Sequence, residues 1–452
     1  MNPQIFREYD IRGLVDVDLT EDIVTKIGVG FGTYMAVSGK RKLSVGYDIR
    51  LSSERFKDAL IKGLTSAGCD CINIGMVPSP VLYFSLFHLD VDGGVMITGS
   101  HNPPEFNGLK LCDNKTSLYG EEIQRVRKII EEGKFSKGNG NITSRNITED
   151  YIELIKNKIK LRRKLRVVLD AGNGTASLIA PKLIKGIGCD VTELFCEPDG
   201  RFPNHHPDPT VPKYLESLIA TVKKEKADVG IGYDGDADRI GVIDDRGEII
   251  WGDQLLVIFS REVLKKGKAP IIFEVKCSQV LNDDILKHGG IPIMWKAGHS
   301  LLKSKMKEEK SPLGGEMSGH MFFADGYFGY DDAIYASCRL LEILSNTDLR
   351  LSEILKDLPK MYNTPEIRVN CPDETKFSVV EDVKKYFKEK YKTIDIDGVR
   401  ITFENGWGLV RASNTQPVLV LRFEADSQKA LEEIKKIVFD KLAQYPGVSI
   451  PE

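Results

Sequence analysis

Three times along this chain, strand-like and helix-like segments alternate, and a late strand of each unit ends in a polar loop. The first unit opens with the strand-like run Leu43–Asp48, the second with Leu165–Asp170 and the third with Pro270–Val275. Alternating strands and helices favour parallel α/β sheets. Repeated units with a polar loop at the same place predict a shared active-site face.

Beyond the third unit the pattern changes. Residues 358–365 are rich in prolines and polar side chains and predict a linker, and the glycine-rich stretch 134–146 predicts a joint between the first two units. A helix, three strands and a last helix then indicate a smaller α+β domain with a largely antiparallel sheet. A length of 452 residues also suggests three or four domains. The predicted domains are 1–145, 146–249, 250–360 and 361–452.

Charge and cysteine usage exclude several classes of protein. The net charge is -3 with no basic stripe, so no nucleic-acid partner is expected. The chain opens without a signal-like apolar region and has no run of about 18 apolar residues, so no membrane span is expected. Its eight cysteines are scattered without a CxxC pair, which disfavours disulfides and zinc. We expect a soluble cytoplasmic protein, as a monomer or a dimer.

The polar loop of the first unit offers a candidate nucleophile. The apolar run Gly94–Ile97 predicts a buried strand, after which the chain bends and presents the hydroxyl of Ser100, with Lys110 shortly beyond. Ligands of open α/β sheets collect at the carboxyl ends of strands. A serine there with a cation nearby fits an activated nucleophile. A polar turn with a buried lysine fits this stretch equally well.

The loop of the second unit carries three carboxylates. Asp234, Asp236 and Asp238 occupy alternate positions around Gly235. Crowded carboxylates need a cation, and hard oxygen ligands suit Mg²⁺. A solvated acidic loop is the plain alternative, and an EF-hand loop is disfavoured because Asp245 stands where that loop needs a glutamate. The sequence therefore predicts a magnesium site.

The loop of the third unit suits a sugar. Glu316 and Ser318 supply a carboxylate and a hydroxyl that could bind paired sugar hydroxyls, and His320 could titrate near neutrality. A structural histidine is the plain alternative. Lys276 and His299 are weaker candidates on the same face.

Two arginine-bearing loops suit a phosphate. Arg411–Pro417 together with Arg422 could clamp a phosphate that does not react, although a polar hairpin is the better explanation of this stretch taken alone. At the N-terminus, Arg7 and Arg12 flank Tyr9 on a short loop that could face a phosphate or simply be solvated.

Taken together and in this order, these loops resemble those of the α-D-phosphohexomutase family, in its phosphomannomutase/phosphoglucomutase branch. The resemblance covers essentially the whole chain. It implies four domains around a central cleft: three related α/β domains with mixed sheets and a smaller C-terminal α+β domain that closes over the substrate. It also implies an isomerase that interconverts hexose 1-phosphates and 6-phosphates through a phosphoserine and a bisphosphorylated sugar.

The resemblance assigns a role to each candidate residue. Ser100 is expected to be phosphorylated, and Asp234, Asp236 and Asp238 are expected to hold Mg²⁺ with a phosphoserine oxygen. Glucose 1,6-bisphosphate, or its mannose equivalent, is the expected activator. The catalytic positions are Ser100, Lys110, His320, Arg12 and Arg239. The substrate-binding positions are Arg7, Tyr9, Lys276, His299, Glu316, Ser318, Arg411, Ser413, Asn414, Thr415 and Arg422. Gln416 departs from the family pattern, where a threonine is expected.

Three other functions remain open at this point. A phosphoglucosamine mutase differs only in its sugar. A metal-dependent phosphatase that passes through a phosphoserine also uses a serine beside a metal. A non-catalytic sugar-phosphate-binding protein is disfavoured because Ser100 and all three aspartates are present.

Overall fold

The computed structural model describes residues 1–413 and 417–450, whose strands form four sheets in chain order, the cores of domains I to IV. Domain I contains a seven-stranded sheet. Its elements are β1 (Ile11–Leu14), α1 (Glu21–Val37), β2 (Lys42–Tyr47), α2 (Ser53–Ser66), β3 (Asp70–Met76), α3 (Ser79–His88), β4 (Gly93–Ile97), β5 (Phe106–Asp113), β6 (Thr116–Ser117), α4 (Glu121–Glu132) and β7 (Ile142–Ser144).

Domains II and III are built on sheets of five and four strands. Domain II consists of α5 (Thr148–Lys158), β8 (Arg166–Asp170), α6 (Ala180–Gly186), β9 (Asp190–Leu194), α7 (Glu216–Glu225), β10 (Val229–Tyr233), β11 (Ile240–Ile243) and β12 (Ile249–Ile250). Domain III consists of α8 (Gly252–Leu264), β13 (Pro270–Glu274), α9 (Gln279–Lys287), β14 (Ile291–Trp295), α10 (His299–Glu309), β15 (Leu313–Gly315), β16 (Met321–Phe323), α11 (Ala333–Ser345) and α12 (Leu351–Ile354).

Among the described residues, the strand pairs of domain IV are antiparallel, as the sequence indicated. Its elements are β17 (Tyr362–Asn363), β18 (Ile367–Asn370), α13 (Lys376–Lys388), β19 (Lys392–Ile394), β20 (Val399–Phe403), β21 (Gly406–Ala412), β22 (Val418–Ala425) and α14 (Gln428–Leu442). Helix α14 begins after Ser427, whose side chain accepts a hydrogen bond from the backbone N–H of Ala430 and so caps the helix. None of the helices within residues 1–413 and 417–450 is long and apolar enough to cross a bilayer.

The first three sheets share one plan. A strand that runs parallel to its neighbour is followed by a strand that turns back antiparallel: β4 to β5, β10 to β11 and β15 to β16. The polar loops singled out in the sequence are the connections of these three hairpins. They therefore lie at equivalent positions in three domains. The sheets are mixed, as the resemblance implied, whereas the alternation alone indicated parallel sheets.

Both linker predictions are too long. In the predicted joint 134–146, β7 pairs with β3 and extends the sheet of domain I. In the predicted linker 358–365, β17 pairs with β22, and the N–H of Thr364 donates to the carbonyl of Phe423 at 3.0 Å. Backbone pairing thus takes residues 362–364 into domain IV. The connection between α12 and β17 is residues 355–361.

Hydrophobic packing distinguishes domain IV from the others. One cluster of buried side chains runs from Ile74 to Leu351 and joins domains I, II and III. Domain IV buries a cluster of its own, from Val369 to Leu442. A small cluster around Val275 and Trp407 connects it to domain III. The free energy of apolar burial scales with the buried area. Because the connecting cluster is small, moving domain IV away from domain III would therefore cost little of this free energy.

Candidate active site

Ser100 lies in the β4–β5 hairpin, buried beside the loop of domain II. Its φ is +48°, in the left-handed region that residues with a Cβ adopt infrequently. Its N–H donates to Thr98 Oγ1 at 2.8 Å, and its hydroxyl donates to Asp234 Oδ2 at 2.8 Å. The hydroxyl also lies 3.1 Å from Nδ1 of His101. The candidate nucleophile therefore contacts the candidate metal site directly.

The three aspartates of the β10–β11 hairpin converge as the sequence predicted. Asp234, Asp236 and Asp238 are buried, and their ligand oxygens lie within 4.8 Å of one another. Gly235 allows this approach, because a Cβ there would lie 2.4 Å from the carbonyl oxygen of Ser100. The Oδ1 atoms of Asp236 and Asp238 are buried without a hydrogen-bond partner in the described structure. Unpaired carboxylate oxygens in a cluster of three buried aspartates fit a divalent cation.

Lys110 of β5 reaches into this cluster from domain I. Its ammonium donates to Asp236 Oδ2 at 2.7 Å and to Asp238 Oδ2 at 2.5 Å. Burial alone would lower the pKa of Lys110, but the two carboxylates outweigh it and raise that pKa. Burial and the neighbouring carboxylates raise the pKa of Asp234, whereas Lys110 outweighs burial and lowers the pKa of Asp236. One ammonium does not balance three carboxylates, so the site favours a further positive charge.

The hairpin loops of domains II and III meet at Arg239 and His320. Their backbones form an antiparallel bridge, and Nε of Arg239 donates to Nε2 of His320 at 3.0 Å. Oδ2 of Asp331 lies 3.3 Å from Nδ1 of both His320 and His299, whose rings stack at 5.5 Å. Burial and the adjacent Lys303 lower the pKa of His299. The two histidines are thus held as a pair at the edge of the aspartate cluster.

The N-terminal loop spans domains I and III. Arg12 lies in β1 rather than on the loop that the sequence suggested, and its Nη1 donates to Asn102 Oδ1 at 2.7 Å, beside the Ser100 hairpin. The hydroxyl of Tyr9 donates to the carbonyl of Ala297 in domain III at 2.8 Å. Arg7 is half-buried on the same loop. The loop is therefore anchored at both ends rather than solvated throughout.

The β15–β16 hairpin carries the candidate sugar-binding residues. Oε1 of Glu316 accepts from the N–H of Gly298 at 2.6 Å, and Ser318 is half-buried two residues further on. The buried Glu274 supports this loop, because its Oε1 accepts from the N–H of Met317 at 2.8 Å. The loop is thus held from two sides by backbone hydrogen bonds to carboxylates.

Lys276 follows β13 and lies among carboxylates. Its ammonium is 3.5 Å from Oε2 of Glu274 and 3.3 Å from Oε2 of Glu366. These two acids raise the pKa of Lys276 against the effect of burial. Burial in turn raises the pKa of Glu274 to about 7, although Lys276 opposes this shift.

Two arginines of domain IV form hydrogen bonds with the backbone around Lys276. Nη1 of Arg400 donates to the carbonyls of Val275 and Cys277 at 2.7 Å each, and Nη1 of Arg422 donates to the carbonyl of Lys276 at 2.6 Å. Two arginines of one domain therefore bind three consecutive carbonyls of another. Arg422, which the sequence assigned to a phosphate, already has this protein partner.

The other candidates for the phosphate clamp that the structure describes are Arg411, near the end of β21, and Ser413, just beyond it. Nε of Arg411 donates to Asp397 Oδ2 at 3.1 Å, and the same oxygen accepts from the N–H of Ala297 at 3.1 Å. The N–H of Ser413, which is buried, donates to the carbonyl of Val418. The remaining two residues assigned to the clamp, Asn414 and Thr415, lie outside the described residues.

Sequence reasoning missed several residues that shape the site. Asp48 and Arg50 follow β2 at its carboxyl end, so the rule that singled out Ser100 applies to them too. Ser79 donates to Asp236 Oδ2 at 2.5 Å, and Asp331 lies between the histidines. The sequence around Ser79 and around Asp331 does not indicate a role in the site, because their partners are distant in sequence.

A buried serine hydroxyl, a three-carboxylate site for a divalent cation and surrounding cationic side chains define a class of site suited to phosphoryl transfer. Models of the phosphoglucomutase/phosphomannomutase family match the chain in four consecutive pieces. The alpha/beta/alpha domains I, II and III of that family match residues 3–137, 149–247 and 251–362, and its C-terminal domain matches residues 366–441.

Individual relatives agree with these models. The chain is 46% identical over 440 residues to a phosphomannomutase/phosphoglucomutase of Pseudomonas aeruginosa, covering 97% of this chain and 95% of the relative. It is 45% identical over 437 residues to a phosphoglucomutase of Neisseria meningitidis, covering 95% of each. A solved phosphoglucomutase/phosphomannomutase family protein from Burkholderia thailandensis superposes with a TM-score of 0.94 at 41% identity, covering 99% of both chains.

The chain belongs to the phosphoglucomutase/phosphomannomutase family. The family and the four-domain α/β fold predicted from the sequence are thereby confirmed. The boundaries at 145, 249 and 360, and the roles assigned to individual site residues, stay predictions.

Proposed function

We propose that this chain is a phosphohexomutase that interconverts the 1-phosphate and the 6-phosphate of mannose, glucose or both. The observation that carries the proposal is the hydrogen bond from the buried Ser100 hydroxyl to Asp234 inside a three-carboxylate cluster. The enzyme class predicted from the sequence is confirmed by the family match.

Asp234, Asp236 and Asp238 are the residues that would hold Mg²⁺. The unpaired Oδ1 atoms of Asp236 and Asp238, together with the excess of negative charge, fit a hard divalent cation. When bound, Mg²⁺ would offset the negative charge of the phosphoryl group being transferred.

In the proposed reaction, phosphorylated Ser100 gives its phosphoryl group to a free hydroxyl of the hexose monophosphate. The bond between phosphorus and Oγ breaks as a bond to the sugar oxygen forms, and the sugar hydroxyl loses its proton. His320 accepts this proton, while Lys110 and Arg12, which already carry positive charges, orient the hydroxyl. Arg239 lies beside the transferred group, where a fixed positive charge stabilises the transition state.

The product of the first transfer is a sugar bisphosphate, which turns in the cleft and returns its other phosphoryl group to Ser100. Glucose 1,6-bisphosphate or mannose 1,6-bisphosphate would therefore also prime the dephosphorylated enzyme. We assign Glu316 and Ser318 to the sugar hydroxyls. The other contacts to the substrate fall to Arg7, Tyr9, Lys276 and His299, and contacts to the phosphate that is not transferred fall to Arg411, Ser413, Asn414, Thr415 and Arg422.

We further expect the chain to work in the cytoplasm as a monomer or a dimer. All eight cysteines are free thiols, which suits a reducing compartment. Light scattering on the purified protein would distinguish the two oligomeric states.

The decisive experiment is ³¹P NMR of the purified protein with Mg²⁺, a trace of glucose 1,6-bisphosphate and either glucose 1-phosphate or mannose 1-phosphate. We expect the 6-phosphate to form, and Ser100→Ala to abolish its formation. Ser66→Ala, which alters an exposed serine of the same domain, should leave the rate unchanged.

Other outcomes would overturn parts of the proposal. Inorganic phosphate without a 6-phosphate would indicate a phosphatase instead. Conversion of glucosamine 1-phosphate alone would indicate a phosphoglucosamine mutase. Full activity in Ser100→Ala would remove the serine from the mechanism.

A further inference from the structure

Arg50 is a fully buried arginine whose guanidinium donates hydrogen bonds to the backbone of the Ser100 hairpin. Its Nη2 donates to the carbonyls of Ser100 at 2.8 Å and Asn102 at 2.6 Å, and its Nη1 donates to those of Pro103 at 2.6 Å and Phe106 at 2.8 Å. These four carbonyls span the whole connection from the nucleophile to the start of β5. One guanidinium therefore fixes the course of the loop.

Asp48 binds both Arg50 and the backbone of the same hairpin. Its Oδ2 accepts from the N–H of Gly99 at 3.2 Å and lies 3.2 Å from Nε of Arg50, while its Oδ1 accepts from Ser53 Oγ at 2.5 Å. The pair thus binds an N–H just before the nucleophile and the carbonyls from the nucleophile onward. Both side chains are at most 2% exposed, so water does not compete for these bonds.

The conformation of Ser100 requires such a support. A non-glycine residue with φ of +48° is strained by roughly 1–2 kcal/mol and persists only where its surroundings impose the conformation. A glycine at position 99 is required for this arrangement, because a Cβ there would lie 2.6 Å from Cζ of Arg50. The guanidinium thus occupies the space that a side chain at residue 99 would need.

We propose that Arg50, held by Asp48, is a positioning residue for phosphoryl transfer: it locks Ser100 in the left-handed conformation that directs Oγ towards Asp234. The inference rests on the proposed function. Arg50 does not contact the reacting hydroxyl with any bond described, so it acts through the backbone. Lysine cannot replace it, because a single ammonium has three donors in a compact geometry where the guanidinium has five in a planar fork.

The test is Arg50→Lys, which keeps the charge and removes the fork. Small displacements of a reacting group reduce rates steeply, about 100-fold for 1 Å. We expect kcat to fall roughly 10- to 100-fold while KM changes less than about twofold. Phosphorylation of Ser100 by glucose 1,6-bisphosphate, followed by intact-protein mass spectrometry in a single turnover, should slow by the same factor. A merely structural role would lower the melting temperature without this matched loss.

Arg55→Lys is the matched control, since Arg55 lies in the same domain and binds Asp16 and Glu21 near the surface; its kcat should not change. If Arg50→Lys does not fold, Asp48→Asn provides the second test, with the same expected loss of kcat. Wild-type rates of phosphorylation and turnover in a folded variant would overturn the positioning role, and so would failure of both variants to fold. Absence of mutase activity in the wild type would instead overturn the proposed function.

Discussion

Glu274 is a buried carboxyl group of the cleft, and the neighbouring Lys276 offsets only part of the effect that burial has on its pKa. Its ordinary pKa of 4.5 is raised to about 7, chiefly by burial. The folded state therefore binds this proton more tightly than the unfolded chain does. The stability that this group contributes is fully present below about pH 4.5 and is lost as the pH rises through about 7.

Glu274→Gln should remove this pH dependence while keeping an acceptor for the N–H of Met317. We expect the variant to gain melting temperature relative to the wild type as the pH is raised from 5 to 8.5, with a free-energy difference of at most about 3 kcal/mol. Differential scanning fluorimetry across this range measures it. Glu121→Gln, on an exposed glutamate, should show a constant difference, and a constant difference for Glu274→Gln would contradict the prediction.

At this scale, local sequence signals identified the residues with an obvious chemistry. The positions of Ser100 and the three aspartates could be predicted, because their loops follow the apolar strands β4 and β10. Arg50 could not be assigned its role, because its four carbonyl partners lie at least fifty residues away. For the same reason, nothing in the sequence revealed that Arg422, which is assigned to the phosphate, also donates to the carbonyl of Lys276.

Hairpins are the elements that assemble the site. The connections β4–β5, β10–β11 and β15–β16 were located from strand-like runs, since apolar strands followed by polar turns are visible in sequence. The direction of the antiparallel strand that follows each hairpin loop could not be predicted, because the sequence of a short strand such as β11, which pairs with β10 and β12, does not show which way it runs. The predicted linker was too long because it included β17. The side chains of β17 are no more apolar than those of a loop, so its backbone pairing with β22 leaves no mark in the sequence.

Lys110→Met tests how β5 completes the metal site. Removing the ammonium leaves Oδ2 of Asp236 and of Asp238 without this partner, and breaking a buried ion pair costs about 3–5 kcal/mol. We expect the melting temperature without Mg²⁺ to fall by roughly 5 °C or more. Added Mg²⁺ should then raise it by more than in the wild type, because the cluster is more negative.

Lys42→Met, at an exposed lysine of β2 in the same domain, provides the control and should respond to Mg²⁺ like the wild type. An equal response to Mg²⁺ in Lys110→Met would show that the ammonium and the cation do not share the same carboxylates.

The molecule as a whole consists of three domains with a joint core and a fourth domain that is attached through polar contacts and one small apolar cluster. Domain number and order followed from the sequence, since each domain has its own strand pattern. Their mutual placement did not, because it depends on contacts such as those of Arg400 with the carbonyls of Val275 and Cys277.

Arg400→Met tests the attachment of domain IV. Leaving two buried carbonyls without donors costs about 1–3 kcal/mol. Domain IV should therefore separate from domain III roughly 10- to 100-fold more often. We expect trypsin to cleave the connection 355–361, at Lys356 or Lys360, faster by a similar factor, as followed by mass spectrometry.

Glu404→Gln, on an exposed loop of domain IV, should be cleaved at the wild-type rate. Unchanged cleavage in Arg400→Met would show that the arginine does not hold the two domains together.

The ion pair between Lys110 and Asp236 also has a consequence for how the chain is made. The aspartate is synthesised 126 residues after the lysine. At about 5–20 residues per second, domain I waits roughly 6–25 s on the ribosome before its counter-charge emerges. During that interval the ammonium must stay hydrated, so the face that becomes the cleft remains open to water. A nascent chain therefore carries an unmatched charge until its second domain arrives.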